Sequence, residues 1–390
     1  MSVRGGRTAS ENSSPRGSEE MYLMRRRESR SSKASRATRT FVSLTGPAGN
    51  IGDALIRRET LGWSLGTSDE LVAYTGDAPD VWLRQLGLPA EAIVLRNKKS
   101  VPRWLRLLVL APRRPVLVFE AGEIPLDRGN GLRELVFLVE TLIVRLKGGI
   151  VVRPPRGIRA PSQPALAIHR LAARLSQVTL WRDEATLRTA RCGRLAPDIG
   201  FSAGSRLGIP WGERPELLVS LRGARPLPDA DWLATVREAA ERAGLSIRTV
   251  VQVREDESRA RELAQLLGGE FEAWGDTDPL AQEERLRQRY DAAQVVISDR
   301  MHVLVLAALS GAVPLELVPG PTMKITKAFA AIGLHGVSVD SSASDPTRML
   351  AALLPTPERA SEVSERVRHA AATLEGIQHE IRDALRRARA

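Results

Sequence analysis

The sequence contains one cysteine, Cys192, in 390 residues, and aromatic side chains make up only 4% of it. A single cysteine excludes an internal disulfide and any cysteine-based zinc site, and it is compatible with a reducing cytoplasm. Histidines and carboxylates do not cluster along the chain, so we expect no metal site. The longest mainly apolar segment, 135–152, is interrupted by charged residues, and neither a transmembrane helix nor a signal peptide is expected.

Acidic residues are too few to balance the basic ones, and the resulting net charge of +11 is carried mostly by arginine. A genome with a bias toward arginine codons would explain much of this excess. Arginine also binds carboxylate and phosphate through a planar fork of donors, so an anionic ligand is a compatible interpretation. Residues 1–39 have almost no apolar content and predict a disordered basic tail, for which we do not expect nucleic-acid binding.

Hydrophobic residues make up 43% of the chain, and its length suits two domains of about 150–200 residues each. Short apolar runs alternate with helical patterns, which indicates parallel sheets covered by helices on both faces. We predict an α/β protein with a Rossmann-like domain at 40–203, a second at 215–340 and helices at 341–390. The two domains would face each other across a cleft. A long polar helix at the C-terminus would pack back across both domains or support a homo-oligomer contact.

The pattern of residues 295–311 predicts a strand, a tight turn and a helix. Apolar residues lead into Ser298 and Asp299, Arg300 and His302 follow, and a helical run then stops at Gly311. Ligands of open α/β sheets bind at the carboxyl ends of the strands, where this turn would lie. We expect Ser298 or Asp299 to cap the helix, with His302 near its third position.

A second turn follows the first predicted strand and opens a helix. Its glycines, Gly46, Gly49 and Gly52, do not have the spacing of a dinucleotide-binding loop, so we predict no nicotinamide cofactor. Backbone N–H groups at a helix start still offer an anion site. Asp53 would position an acceptor hydroxyl or act as its base. The structural alternative is a helix cap in which Asn50 holds a left-handed turn.

Four segments resemble the polysaccharide pyruvyltransferases, and the resemblance spans residues 41 to about 335. It implies a GT-B-like fold and transfer of a pyruvyl group from phosphoenolpyruvate to sugar hydroxyls. The segments are Gly49-Asn50-Ile51-Gly52-Asp53, then Trp181-Arg182-Asp183-Glu184 with Asp198, then Val219-Ser220-Leu221-Arg222, and finally Ser298-Asp299-Arg300-Met301-His302 followed by Gly311, Pro314 and Lys324. The chain departs from the family's glycine-rich runs at 120–123 and 151–157, in the domain that holds the acceptor in GT-B-like proteins.

The implied chemistry assigns a role to each of these residues. Making a pyruvate ketal requires two anionic groups to be held, a proton to be delivered and hydroxyl protons to be accepted. His302 would be the general acid–base, Arg300 and Arg222 would bind the carboxylate or phosphate, and Lys324 would reach the phosphate. Asp53 would serve the acceptor, beside Asn50, Gly49 and Gly52. The alternative for His302 is a histidine that merely caps a turn. The alternative for the arginines is a surface side chain that is only solvated. The reaction requires no cofactor beyond phosphoenolpyruvate as donor.

Two rival functions fit the same fold. The first is a GT-B glycosyltransferase that uses a nucleotide sugar, but the Glu-x7-Glu pattern of many retaining members is absent, because Glu316 is followed eight residues later by Lys324. The second is a non-catalytic glycan-binding relative. The acceptor would be a glycan or a lipid-linked sugar.

A basic and apolar segment bears on where the protein works. It includes Lys98, Lys99, an apolar run at 103–110, Arg113 and Arg114. A core helix with basic ends is one interpretation, and a peripheral membrane contact is the other. The predicted location is the cytoplasm, including the inner face of the membrane.

Overall fold

The computed structural model describes residues 38–66, 68–205 and 209–389. The predicted basic tail lies outside the described residues, apart from its last two positions. Two parallel sheets, each covered by helices, form two Rossmann-like units, which confirms the predicted architecture. None of the helices in these ranges combines the length and the apolar character needed to span a bilayer.

The N-terminal sheet is parallel, with strand order β3-β2-β1-β4-β6-β7-β8 and with β5 paired to the second half of β6. Its strands are β1 (Arg39–Ser43), β2 (Glu70–Gly76), β3 (Ile93–Arg96), β4 (Val116–Val118), β5 (Gly122–Pro125), β6 (Ile150–Arg159), β7 (Val178–Trp181) and β8 (Arg194–Leu195). Its helices are α1 (Ile51–Ser64), α2 (Asp80–Leu86), α3 (Val101–Val109), α4 (Gly131–Leu146), α5 (Ala165–Leu175) and α6 (Glu184–Ala190).

The C-terminal sheet is also parallel, in the order β11-β10-β9-β12-β13-β14. Its strands are β9 (Glu216–Ser220), β10 (Ser246–Thr249), β11 (Glu270–Phe271), β12 (Ala293–Ser298), β13 (Val313–Val318) and β14 (Ser338–Asp340). The helices are α7 (Ala230–Ala243), α8 (Glu257–Leu267), α9 (Pro279–Ala292), α10 (Met301–Leu309), α11 (Met323–Ala330), α12 (Pro346–Leu353) and α13 (Pro357–Arg389).

The long helix α13 packs back across both domains, one of the two arrangements that its polarity allowed. Its apolar side chains, including Val367 and Leu374, are buried in the same cluster as α10. Gln378 Nε2 donates to the Gly62 carbonyl of α1 at 3.0 Å. Helix α10 is apolar on all sides because it lies between β13 and α13, as a helix without a polar face must be buried.

Some element boundaries differ from those expected. The apolar run predicts a strand over 149–152, but β6 continues to Arg159, through Pro154 and Pro155. Proline has no N–H to donate, and the register between β6 and β7 shifts there, between Arg153 and Arg156. In the C-terminal domain the apolar run predicts a strand over 247–253, but β10 ends at Thr249, and Val253 pairs instead with Asn50 of the other domain.

Candidate active site

The turn between β12 and α10 holds two of the predicted site residues. Helix α10 begins at Met301 with Arg300 at its N-cap, so His302 occupies the second helical position. The predicted capping by Ser298 or Asp299 is wrong, because both side chains tie β12 to β9. Ser298 Oγ donates to the Ser220 carbonyl at 2.6 Å, and Asp299 accepts the backbone N–H of Arg222 at 3.0 Å.

His302 reaches across the cleft to the N-terminal domain. Its Nε2 is buried and lies 3.6 Å from Asp198 Oδ1. On its other side the residue lies over the first turn of α1, where a Cβ on Gly52 would be 2.6 Å from His302 Cβ and 2.9 Å from Nδ1. A glycine is therefore required at position 52 for this approach of the two domains.

Asp198 is the buried partner of His302, with 1% of its surface exposed. Its Oδ1 accepts the Gly200 N–H at 3.0 Å, and its Oδ2 lies 3.3 Å from Arg182 Nη1. Burial alone would raise the pKa of Asp198, but His302, Arg182 and the Gly200 N–H outweigh it and hold that pKa well below its usual range. The carboxylate therefore stays ionised beside the imidazole.

Two more charged residues extend this group across the cleft. Arg182 Nη2 lies 3.4 Å from Glu123 Oε1, and Lys324 Nζ, from the C-terminal domain, lies 3.9 Å from Glu123 Oε2. Burial and then the Arg182 charge lower the pKa of Lys324, while Glu123, Asp198 and Asp53 oppose that shift. We call His302, Lys324, Asp198, Arg182 and Glu123 the cleft cluster.

Glu316 positions the helix that carries Lys324. This carboxylate is fully buried, and its Oε1 accepts the backbone N–H of Thr322, the N-cap of α11, at 2.8 Å. Its Oε2 accepts the Ser338 hydroxyl at 2.7 Å. Both oxygens of Glu316 thus have partners within the C-terminal domain.

The predicted acceptor loop lies beside the cleft cluster. Gly49 adopts a φ of +87°, and Asn50, with an extended backbone, caps α1 by accepting the Gly52 N–H at 2.9 Å. The left-handed residue is therefore Gly49 and not Asn50. Asp53 accepts from Asn50 Nδ2 at 2.7 Å and pairs with Arg57 at 2.9 Å. Gln252 from the C-terminal domain donates to Asn50 at 3.5 Å.

The two predicted arginines belong to a separate network. Arg300 Nε lies 2.6 Å from Asp256 Oδ2, and Asp256 also accepts the Gly223 N–H at 2.9 Å. Arg222 Nε lies 3.6 Å from the fully buried Asp299, and its side chain is 39% exposed. The structure thus groups His302, Lys324, Asp53, Asn50, Gly49 and Gly52 around one part of the cleft. It places Arg300 and Arg222 against carboxylates beyond the carboxyl ends of β12 and β9, the central strands of the C-terminal sheet.

Three members of the cleft cluster were absent from the predicted site. Arg182 and Asp198 stood within the family resemblance, and that was the signal that could have found them. Glu123 stood where the chain departs from the family, and nothing in its sequence context indicated a role. Among the described residues, no group of three or more histidine, cysteine, aspartate or glutamate side chains is placed to hold a metal ion.

Comparison with known proteins identifies the fold. No protein-family model matches the chain, and no curated protein matches it by sequence. Anabaena HepE in complex with UDP superposes with a TM-score of 0.55 at 14% identity, covering 89% of this chain and 99% of that one. UDP-GlcNAc 2-epimerase from Neisseria meningitidis, bound to UDP-GlcNAc, gives 0.52 at 12% identity over 85% and 94%. The spinosyn rhamnosyltransferase SpnG gives 0.50 at 14% identity over 87% and 100%. The chain therefore has a GT-B-like fold, as predicted.

Proposed function

We propose that this protein is a pyruvyltransferase. It would move the enolpyruvyl group of phosphoenolpyruvate onto sugar hydroxyls of a cell-surface polysaccharide or its precursor. The observation that carries the proposal is the juxtaposition, across the cleft, of the His302–Asp198 pair with the cations Lys324 and Arg182. The fold shared with sugar-modifying enzymes supports the coarser part, an enzyme that acts on sugars.

The cations suit a small donor with two anionic groups. Lys324 has 34% of its side chain exposed, and partial burial, followed by the charge of the neighbouring Arg182, lowers its pKa. Glu123 lies between the two cations, so a donor anion would take the place of this carboxylate at Lys324, where the attraction in a partly buried cleft is stronger than in water. Arg222, the other predicted cation, follows the carboxyl end of β9, where it lies beside Asp299 and is 39% exposed.

His302 suits the proton transfers. Because its Nε2 is buried against Asp198, proton exchange with the substrate falls to Nδ1, beside Gly52. The Asp198 carboxylate would orient the ring and stabilise the imidazolium. A sugar hydroxyl adds to C2 of the donor, the methylene carbon takes a proton from His302, and phosphate leaves. The second hydroxyl then closes the ketal, and the protons released by the hydroxyls return to His302 and to phosphate.

The second candidate is a glycosyltransferase that uses a nucleotide sugar. The GT-B-like fold and the UDP bound to Anabaena HepE favour it. Against it, the Glu316 carboxylate is fully buried and hydrogen-bonded to Thr322 and Ser338, so it is not available to a ribose.

Thermal unfolding with each donor separates the two candidates. A ligand at a hundred times its Kd adds about 2.7 kcal/mol to the free energy of unfolding, which is a shift of several degrees. Phosphoenolpyruvate should raise Tm, UDP- and GDP-sugars should not, and Lys324→Met should abolish the shift. Lys327→Met, one turn along the same helix, is the matched control and should retain it. Stabilisation by a nucleotide sugar alone would identify the glycosyltransferase instead.

A further inference from the structure

Helix α4 presents an apolar stripe to solvent. Leu132 is 75% exposed and Leu146 is 86% exposed, and Leu135, Val139 and Leu142 are exposed between them. At 100° per residue these five positions fall within an arc of about 80°, so they form one continuous stripe. Exposed contiguous apolar patches of this kind mark interaction sites.

The neighbouring helix α3 and the residues that flank it carry exposed positive charge. No acidic residue occurs between 92 and 119, and the two carboxylates of α4, Glu134 and Glu140, both point inward and are buried. Six exposed cations lie between residues 98 and 114, and none of them forms an ion pair with a described residue. These cations are Lys98, Lys99, Arg103, Arg106, Arg113 and Arg114.

The two helices form one continuous face. Trp104 Nε1 of α3 donates to Glu140 Oε1 of α4 at 2.9 Å. At the other end, Lys147 Nζ donates to the Val109 carbonyl at 2.8 Å and holds the two C-terminal ends together. Exposed Leu110 and Leu146 lie at these ends. We call the exposed side chains of α3, α4 and the residues flanking α3 the α3–α4 face.

The charge of this face selects its partner. A second copy of the chain, docked face to face, would bring six cations against six cations with no carboxylate between them. An anionic lipid surface offers apolar depth for the leucines and negative charge for the neighbouring arginines and lysines, as for amphipathic helices that lie in a membrane interface.

A cavity of 300 Å³ lies between the same two helices. Lys98 and Trp104 line it on the α3 side, and Tyr74, Ser43 and Glu120 line it at the strand ends. Aromatic rings, a hydroxyl and a carboxylate are groups that a sugar ring can use. The cavity therefore offers, between the two helices of the face, the kinds of group that a sugar site uses.

We propose that the α3–α4 face docks on an anionic membrane surface and presents this cavity to the sugar of a lipid-linked acceptor. The identity of the acceptor rests on the proposed function, whereas the docking does not. No helix enters the bilayer in this arrangement, and only the leucine side chains of the stripe reach the boundary of the acyl chains.

Vesicle flotation of the full chain tests the docking. Vesicles of phosphatidylcholine with phosphatidylglycerol should carry the protein at least tenfold better than phosphatidylcholine alone. Two face variants should each lose at least tenfold, one with Leu132, Leu135, Leu142 and Leu146 changed to Ser, the other with Arg103, Arg106, Arg113 and Arg114 changed to Ser. The matched charge control removes Arg188, Arg242, Arg261 and Arg386, which are exposed elsewhere, and should bind like wild type.

The outcomes separate docking from function. Equal binding of the face variants and wild type would overturn the docking and assign any vesicle binding to another part of the chain. A dimer in wild type that becomes a monomer in the leucine variant would also overturn it and identify a second copy as the partner. If the face docks as proposed, both face variants should release phosphate from phosphoenolpyruvate at least tenfold more slowly than wild type with a lipid-linked acceptor, and at the wild-type rate with a soluble one. Vesicle binding by a protein that releases no phosphate from phosphoenolpyruvate with either acceptor would refute the proposed function and leave the docking supported.

Discussion

His302 and Gly52 meet across the domain cleft at a distance that leaves no room for a Cβ on residue 52. Gly52→Ala should therefore displace His302 or separate the domains, at a cost of about 1–3 kcal/mol in the free energy of unfolding. The matched control is Gly62→Ala in the same helix, where a Cβ meets nothing within 4 Å. That change should stabilise by up to ~1 kcal/mol, because alanine favours the helix. Urea unfolding measures both, and equal effects would contradict the packing described.

The Asp198 carboxylate should make the free energy of unfolding depend on pH in the acidic range. Its pKa is depressed in the folded protein, so its contribution is present above the unfolded value of about 4 and is lost as the pH falls below it. Asp198→Asn should lower the free energy of unfolding by about 3 kcal/mol at pH 7, and by less at pH 3.5. The exposed Asp80→Asn is the control and should change it by under about 0.5 kcal/mol. A difference that did not shrink in acid would refute the assigned charge state.

Glu140 should produce the opposite dependence on pH. Burial raises its pKa to about 8, so the folded protein holds a proton that the unfolded chain releases. Wild-type stability should then fall as the pH rises from the unfolded value through about 8, and Glu140→Gln should be more stable than wild type at pH 9 by about 1–3 kcal/mol. At pH 5 the two should agree closely. Urea unfolding at both pH values measures this, and a variant weaker than wild type at pH 9 would contradict it.

Glu134 provides the contrast on the same helix. It is buried as deeply, but its hydrogen bond to His169, at 2.7 Å, and nearby arginines outweigh the burial and lower its pKa. Glu134→Gln should therefore destabilise the protein at pH 7 by about 1–3 kcal/mol, and by less in acid. Unfolding measured alongside Glu140→Gln should show slopes of opposite sign. Parallel slopes would mean that the two carboxyls share one charge state.

Much of the fold follows from local patterns. The apolar spacing predicts helices over 80–86, 131–146 and 230–243, and α2, α4 and α7 have these bounds. A glycine follows the last residue of each within two positions and ends the helix. Strand β5 begins at Gly122, within the departure at 120–123, and pairs with the second half of the extended β6, which was not predicted. Helix α12 lies within 341–390, where helices are predicted, but its eight-residue apolar pattern is too short to predict its bounds.

The sequence predicted the site residues that follow strands, but it did not predict their partners from distant parts of the chain. His302, Lys324 and the loop at Asn50 each follow a strand, and the rule that ligands bind at carboxyl ends locates them together. The direction of Arg300 depends on Asp256, a residue 44 positions away that local sequence does not bring near it. Asp198 likewise joins His302 only through the packing of two domains.

The most direct test of the central claim is phosphate release from phosphoenolpyruvate in the presence of a glycan acceptor, with mass analysis of the glycan. Wild type should release one phosphate for each pyruvyl ketal formed. His302→Gln should be slower by about 100-fold or more, while the exposed His335→Gln keeps full rate. Ketal formation at the wild-type rate in His302→Gln, or glycan gaining a sugar from UDP-sugars and no ketal, would contradict the account.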